Sequence, residues 1–232
     1  MFKVISFGYR CSSATFLQIL QLKTESYPFD WLVSKLGTIQ DCIETNFVHF
    51  LDANNYSGHT TETYNIIDDK KIHIENEHAH VNTYYENGKN ITSTYQSKLS
   101  LNHQNIHHDY DYYQRCIDRL YELFETDIQK YYLYFHPIMG INDFKDNKEG
   151  VLTEFDDFSQ FIIKKTTNIF GLYFILVKHD ESIKSIKLQE TCNYDVYVIY
   201  CNENFVDGDP PFMGTYDTEK EEILSILRTY FI

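Results

Sequence analysis

Hydrophobic and polar positions along this chain alternate between two periods, and the alternation divides it into three stretches. The first predicts a strand over 2–7 (FKVISF), a break at Gly8 and a helix over 12–22 (SSATFLQILQL), then a loop, SYPFDWL, spanning Ser26 to Leu32. A second helix is predicted from about 37 to 50, where Ile39, Cys42, Ile43, Phe47 and Phe50 recur at helical spacing. The middle stretch, about 56–105, carries the short runs TYNII, KIHIE, HVNTYY and ITSTYQ, parted by turn signals at Asp68-Asp69 and Glu86-Asn87-Gly88. It predicts a small antiparallel meander inserted into the main domain. The last stretch predicts helix 110–127, strand 131–135, helix 155–168, strands 171–177 and 194–200, and helix 217–229; within it Glu154 to Phe158 reads as a helix start.

Apolar strand runs alternating with helical patterns indicate a sheet covered on both faces. The expectation is therefore an α/β fold, with a mixed central sheet flanked by helices on both faces. Residues 1–232 form one catalytic domain in this reading, with a β-rich insertion at about 56–105. A hydrophobic content of 43% in 232 residues is enough to bury a substantial core.

The first break in the pattern holds the first candidate chemistry. Cys11 stands between the strand and the predicted helix, where unpaired backbone N–H groups and the helix dipole favour thiolate over thiol. The bland alternative is a small buried apolar residue, and with it a non-catalytic binding module in which Cys11 is simply packed. A nucleophilic thiol needs a base, and the base needs an orienting acceptor. In open α/β sheets active sites gather at the carboxyl ends of strands, which brings forward His136 after YYLYF and His179 after YFILVK. Asp30 is the first choice for the acceptor, because a carboxylate between Phe29 and Trp31 is costly to bury unless a charge such as Arg10 or a histidinium meets it. Asp109 is the second choice. Alternatively Asp30 caps a turn that Pro28 and Trp31 fix. Backbone donors at Ser6, Gly8 and Tyr9 are candidates for an oxyanion site beside the thiol.

The pairing of ISFGYRC with YPFDWL, followed by HHDY at His107 to Tyr110, resembles the family described as putative papain-like cysteine peptidases. Its members carry serine-leucine-glycine, two variable residues and cysteine, then proline-phenylalanine-aspartate-tryptophan, then histidine-aspartate-aromatic. These elements fall here on Ser6, Gly8 and Cys11, on Pro28 to Trp31, and on His108 to Tyr110, with Phe7 where leucine is usual. The resemblance implies peptidase chemistry with Cys11 as nucleophile and His108 as its base, His107 being the immediate competitor. It also implies a nucleophile on a long helix and a histidine on an antiparallel barrel-like sheet, in tension with the α/β pattern after residue 110.

Composition excludes several classes. A net charge of −14, with no basic run longer than Lys70-Lys71 or Lys164-Lys165, repels phosphate backbones and argues against nucleic acid. No apolar stretch is long enough to span a bilayer and no signal segment precedes the first strand, so a cytoplasmic protein without membrane contact is expected. The five cysteines (11, 42, 116, 192 and 201) form an odd set without CxxC spacing, against a disulfide framework or zinc knuckle. His73, Glu75, Glu77, His78 and His80 cluster without a recognisable zinc spacing, and no metal is expected.

A thioester on Cys11 can be completed by water or by an amine. With no pro-segment or secretion signal in view, the expectation leans to an acetyl-CoA-dependent N-acetyltransferase acting on a small amine such as an amino sugar. A peptidase or amidase acting on a peptide is the runner-up. Coenzyme A would need a local basic patch, for which Arg10, Lys23 and Lys35 are the candidates.

Overall fold

The computed structural model describes residues 2–8, 12–30, 32, 34–52, 55–67, 70–82, 100–101, 106–138, 140–179, 184–201 and 217–232, with backbone alone at 12, 184 and 217 and for those described between 56 and 109. Among these residues eight strands and six helices follow in chain order: β1 (Phe2–Ser6), α1 (Ser12–Ile19), α2 (Leu36–Glu44), α3 (Val48–Leu51), β2 (Tyr56–Ile67), β3 (Lys70–Asn82), β4 (Ser100–Leu101), α4 (Ile106–Phe124), β5 (Gln129–Ile138), α5 (Ile141–Ile162), β6 (Ile169–Lys178), β7 (Lys184–Glu190), β8 (Tyr194–Cys201) and α6 (Asp217–Phe231). Five strands form a mixed sheet in the order β1-β5-β6-β8-β7, in which β1, β5, β6 and β8 run parallel and β7 closes one edge antiparallel to β8. A second sheet, β2-β3-β4, is antiparallel. This is an α/β fold, and its parallel sheet differs from the barrel-like sheet that the family resemblance implied.

Strand alternation sends successive side chains to opposite faces, and each face has its own core. Ile5, Phe7, Tyr132, Tyr134, Tyr173, Ile175, Val196 and Val198 meet residues of α2, α3, α4 and α5. Val4, Leu133, Phe135, Phe174 and Ile199 meet Phe16 and Leu17 of α1 and Ile223, Leu224 and Leu227 of α6 on the other face.

The structure differs from the sequence expectation at four places. The helix expected over 37–50 breaks into α2 and α3, because Asn46 and Phe47 take positive φ (51° and 59°) and Phe47 turns its ring against Phe29, Phe50 and Tyr121. The helix expected over 155–168 runs instead from Ile141 to Ile162, so Glu154 to Phe158 lie inside α5 rather than at its start. Strand β7, KSIKLQE, was not expected; it is a largely polar edge strand, and charge on an edge guards it against further pairing. The meander's TYNII and KIHIE runs lie within the two long strands β2 and β3, whereas ITSTYQ and both turn signals lie outside the described residues.

Lys130, fully buried at the start of β5, fastens the base of the sheet. Its ammonium donates to the carbonyls of Thr126 (2.6 Å), Ile128 (3.1 Å) and Thr167 (3.0 Å), joining the turn before β5 to the turn before β6. Lys130→Met keeps the apolar stem and strips three carbonyls of their donor. The expected loss is about 2 kcal/mol of unfolding free energy, read from the urea midpoint.

Candidate functional site at the carboxyl end of the sheet

Strand β1 ends at Ser6, whose buried hydroxyl hydrogen-bonds that of Ser13 and so ties the end of the strand to the first turn of α1. Phe7 continues the pairing, its N–H donating to the Leu133 carbonyl at 3.0 Å. Gly8 then takes φ +81°. A Cβ at Gly8 would lie 2.5 Å from Ser34 Oγ and 3.1 Å from the carbonyls of both Phe29 and Leu32, so glycine is demanded by conformation and by space. Ser34 Oγ in turn donates to the Phe7 carbonyl at 3.0 Å. The ISFG segment and the YPFDWL segment are thereby locked together. Tyr9, Arg10, Cys11 and Trp31 lie outside the described residues, Cys11 being the residue that immediately precedes α1 in the chain.

Helix α1 ends in a left-handed residue, Gln21 (φ 56°), with Leu22 N–H donating back to Leu17 at 2.9 Å, a Schellman-type closure that turns the chain toward Lys23. Lys23 is the charge that meets Asp30. Asp30 is 1% exposed, ion-pairs with Lys23 and accepts the Tyr27 N–H at 2.9 Å. Burial raises its pKa, while the Lys23 charge and these two hydrogen bonds oppose the rise. Lys23 thus supplies a counter-ion for the buried Asp30, which also fixes the turn at Tyr27; Arg10 and the side chains of His107 and His108, the other partners considered, lie outside the described residues. Lys23 also donates to the Glu25 carbonyl.

Helix α4 closes over the same loop. Arg119 donates to the Ser26 carbonyl at 3.2 Å, and Tyr112 shares hydrogen bonds with Ser26 and Cys116. His108 and Asp109 occupy the first turn of α4, His108 standing one turn ahead of Tyr112; their side chains, like that of His107, lie outside the described residues. The helix carrying HHDY is thus fixed to the loop carrying YPFDWL, which is fixed to Gly8.

On the parallel neighbour of β1, Ser6 pairs with Leu133, so His136 stands at the same end of the sheet as Gly8. His136 is half-buried, its ring 5.8 Å from that of Phe155 and 6.4 Å from that of Tyr134. Its Nδ1 is enclosed and has no hydrogen-bond partner among the described residues. Burial, reinforced by the positive charge of Lys35, lowers its pKa to about 4. Lys35 itself is lowered to about 8 by burial against the pull of Glu154, and Glu154 is raised by burial against the pull of Lys35. The sequence brought forward His136, offered Lys35 only as a phosphate ligand, and showed Glu154 only as part of a helix start. His179 follows β6 and bonds through its backbone N–H to the Cys201 carbonyl at 2.8 Å, with its ring 5.9 Å from Tyr200, two strands away from β1.

Helix α1 lies on one face of the sheet and α4, the 26–32 loop and His136 on the other, with the edge strand β1 between them. Among the described residues no group of three or more His, Cys, Asp or Glu could hold a metal ion, and no helix is long and apolar enough to cross a membrane. The side chains of His73, Glu75, Glu77, His78 and His80 on β3 lie outside the described residues.

Fold and site together define an open α/β protein in which the end of β1, the 26–32 loop and α4 are tied to one another beside a mixed sheet. The chain belongs to the family described as putative papain-like cysteine peptidase (DUF1796), whose model matches residues 2–182. That match covers β1 through β6 and stops ahead of β7, β8 and α6. No curated protein and no solved structure gives a significant match.

Proposed function

We propose that the protein is a thiol hydrolase of the peptidase or amidase type, in which Cys11 attacks a substrate amide carbonyl. The C–N bond breaks and the amine leaves with a proton, and water then cleaves the resulting thioester to a carboxylic acid and the free thiol. The observation that carries this reading is the convergence itself. Gly8 is locked to the carbonyls of Phe29 and Leu32, Ser26 is locked to α4, and so the segments on either side of Cys11, Trp31 and His108 are held as one assembly. Cys11 is bonded to the first residue of α1, and a thiol at a helix N-terminus is shifted toward its nucleophilic thiolate.

His108, in the first turn of α4, is the base in this reading, with Asp109 beside it in sequence. The ion pair with Lys23 makes Asp30 a support of the loop. Ser6 holds the α1 terminus, and backbone donors from Gly8 to Cys11 serve the developing oxyanion. Hydrolysis is preferred to acetyl-CoA-dependent transfer onto an amino sugar for two reasons. The family description is that of a peptidase, and Lys23, one of three cations considered for coenzyme A phosphates, is bound to Asp30.

Iodoacetamide labelling with mass-spectrometric site mapping tests the proposal, because Cys192 is an exposed internal control and Cys42, Cys116 and Cys201 are buried. Cys11 is expected to alkylate at neutral pH about tenfold faster than Cys192, and a peptide aldehyde is expected to protect it. A Cys11 rate equal to that of Cys192 would sink the nucleophile. A lasting acetyl adduct on Cys11 after incubation with acetyl-CoA would replace hydrolysis by transfer.

A further inference from the structure

The register of the hairpin formed by β2 and β3 joins residues that the linear sequence keeps apart. Thr60 pairs with His78, Glu62 with Glu75 and Tyr64 with His73. Between the first two of these pairs the register shifts, and Thr61 of β2 spans both Asn76 and Glu77 of β3, the pattern of a β-bulge. By strict alternation His73 and Glu75 would share one face of β3 and His78 would take the other. The extra residue of the bulge reverses that alternation. Residues 60, 62 and 64 alternate regularly along β2 and so share a face, and their directly opposed partners share it with them. Glu62, His73, Glu75 and His78 therefore stand in adjoining rows on one face of the ribbon. His80, opposite Gly58, occupies the next row beyond His78, and Lys71, opposite Ile66, the row beyond His73.

This placement favours a cation. Glu62 and Glu75 are directly opposed, and like charges at such positions work against strand pairing. A positive ion between the strands removes that cost. Two potential ligands at i and i+2 of one strand, His73 and Glu75, with a third directly opposite, Glu62, are placed to meet a single ion, and His78 makes up the four that zinc takes. Two carboxylates and two neutral imidazoles also balance the charge of a dication. Linear spacing argued against a metal because the pattern exists only across the bulge. We propose that the face of the β2–β3 hairpin carrying Glu62, His73, Glu75 and His78 binds one divalent transition-metal ion, zinc being the ion that such nitrogen and oxygen donors suit. Magnesium and calcium, which take oxygen ligands, are disfavoured by the imidazoles. The site stands independently of the hydrolase reading.

Isothermal titration of the full chain, free of any affinity tag, with zinc chloride tests the site without catalysis. Saturation at one ion per chain is expected, with no binding of magnesium or calcium. His73→Gln, His78→Gln and Glu75→Gln are each expected to weaken zinc at least about tenfold, the lower end of what loss of even an outer-shell partner costs a metal site. His59→Gln is the control. His59 is opposite Ala79 and so lies on the other face of the same hairpin, and its replacement is expected to leave the affinity unchanged. Hydrogen exchange of the wild type, read by mass spectrometry, depends on no variant's folding: zinc is expected to slow exchange in peptides covering 60–64 and 73–78. Absence of zinc binding, or protection confined to other segments, overturns the proposal. An equal loss in His59→Gln overturns it as well, since histidine content and not register would then hold the ion. Loss of zinc binding in Cys11→Ser would move the ion to the thiol, and tighter binding of calcium or magnesium would overturn the transition-metal assignment.

Discussion

Gly8→Ala is expected to cost about 3 kcal/mol or more of unfolding free energy and to slow Cys11 alkylation toward the rate of an ordinary exposed thiol. Two penalties add at this position. The backbone at φ +81° is a conformation in which a Cβ crowds the following carbonyl. The new methyl would also stand 3.1 Å from two backbone oxygens, Phe29 O and Leu32 O, that belong to a packed loop and cannot both retreat. Its third neighbour, Ser34 Oγ at 2.5 Å, is a side-chain atom that can rotate away, at the loss of its bond to the Phe7 carbonyl. A double variant, Gly8→Ala with Ser34→Ala, separates these contributions. Urea unfolding should show it regaining only a minor part of the lost stability; full recovery would mean that the hydroxyl alone made Gly8 necessary. The alkylation rate adds what stability cannot, since it reports whether the segment from Gly8 to α1 still presents the thiol as the native loop does.

What could be read from the sequence, and what could not, divides along one physical line. Strands β1, β5, β6 and β8 are near-continuous apolar runs because parallel strands covered on both faces need them, and that pattern is local. Strand β7 and the first half of α5 leave much of their surface to solvent: Ile186 and Lys187 are exposed, and of residues 141–153 only Phe144 and Val151 are buried. Gly150 within α5 further weakens the local signal. The break between α2 and α3 is a tertiary decision, since Phe47 accepts a left-handed backbone to bury its ring. The site divides likewise. Ser6, Gly8, Asp30 and His136 were visible as residue types at strand ends and turns. That Asp30 would meet Lys23, and that the charge of Lys35 would reach His136 and Glu154, depends on how α1 ends and how α2 lies against α5, which no window of sequence contains.

Acid is expected to destabilise the protein through His136, and the sign follows from its surroundings. Burial and the Lys35 charge lower its folded pKa to about 4, against an ordinary 6.5, so the folded protein holds the imidazole neutral where an unfolded chain would protonate it. Protons therefore bind preferentially to the unfolded state between these two values. The contribution is fully present above pH about 6.5 and is lost progressively as pH falls toward about 4, amounting at most to about 3 kcal/mol. Glu154 and Asp30 work in the opposite direction, since burial raises both carboxyls and acid relieves the cost of burying their charge. Lys35, lowered to about 8, stays protonated throughout this window and keeps its repulsion on an imidazolium. The difference between wild type and His136→Gln isolates the histidine, because glutamine keeps a hydrogen-bonding amide there and cannot take up a proton. Urea midpoints measured at neutral pH and near pH 5 should show the wild type losing stability relative to His136→Gln on acidification. Parallel behaviour of the two proteins would mean that His136 is solvated enough to titrate normally.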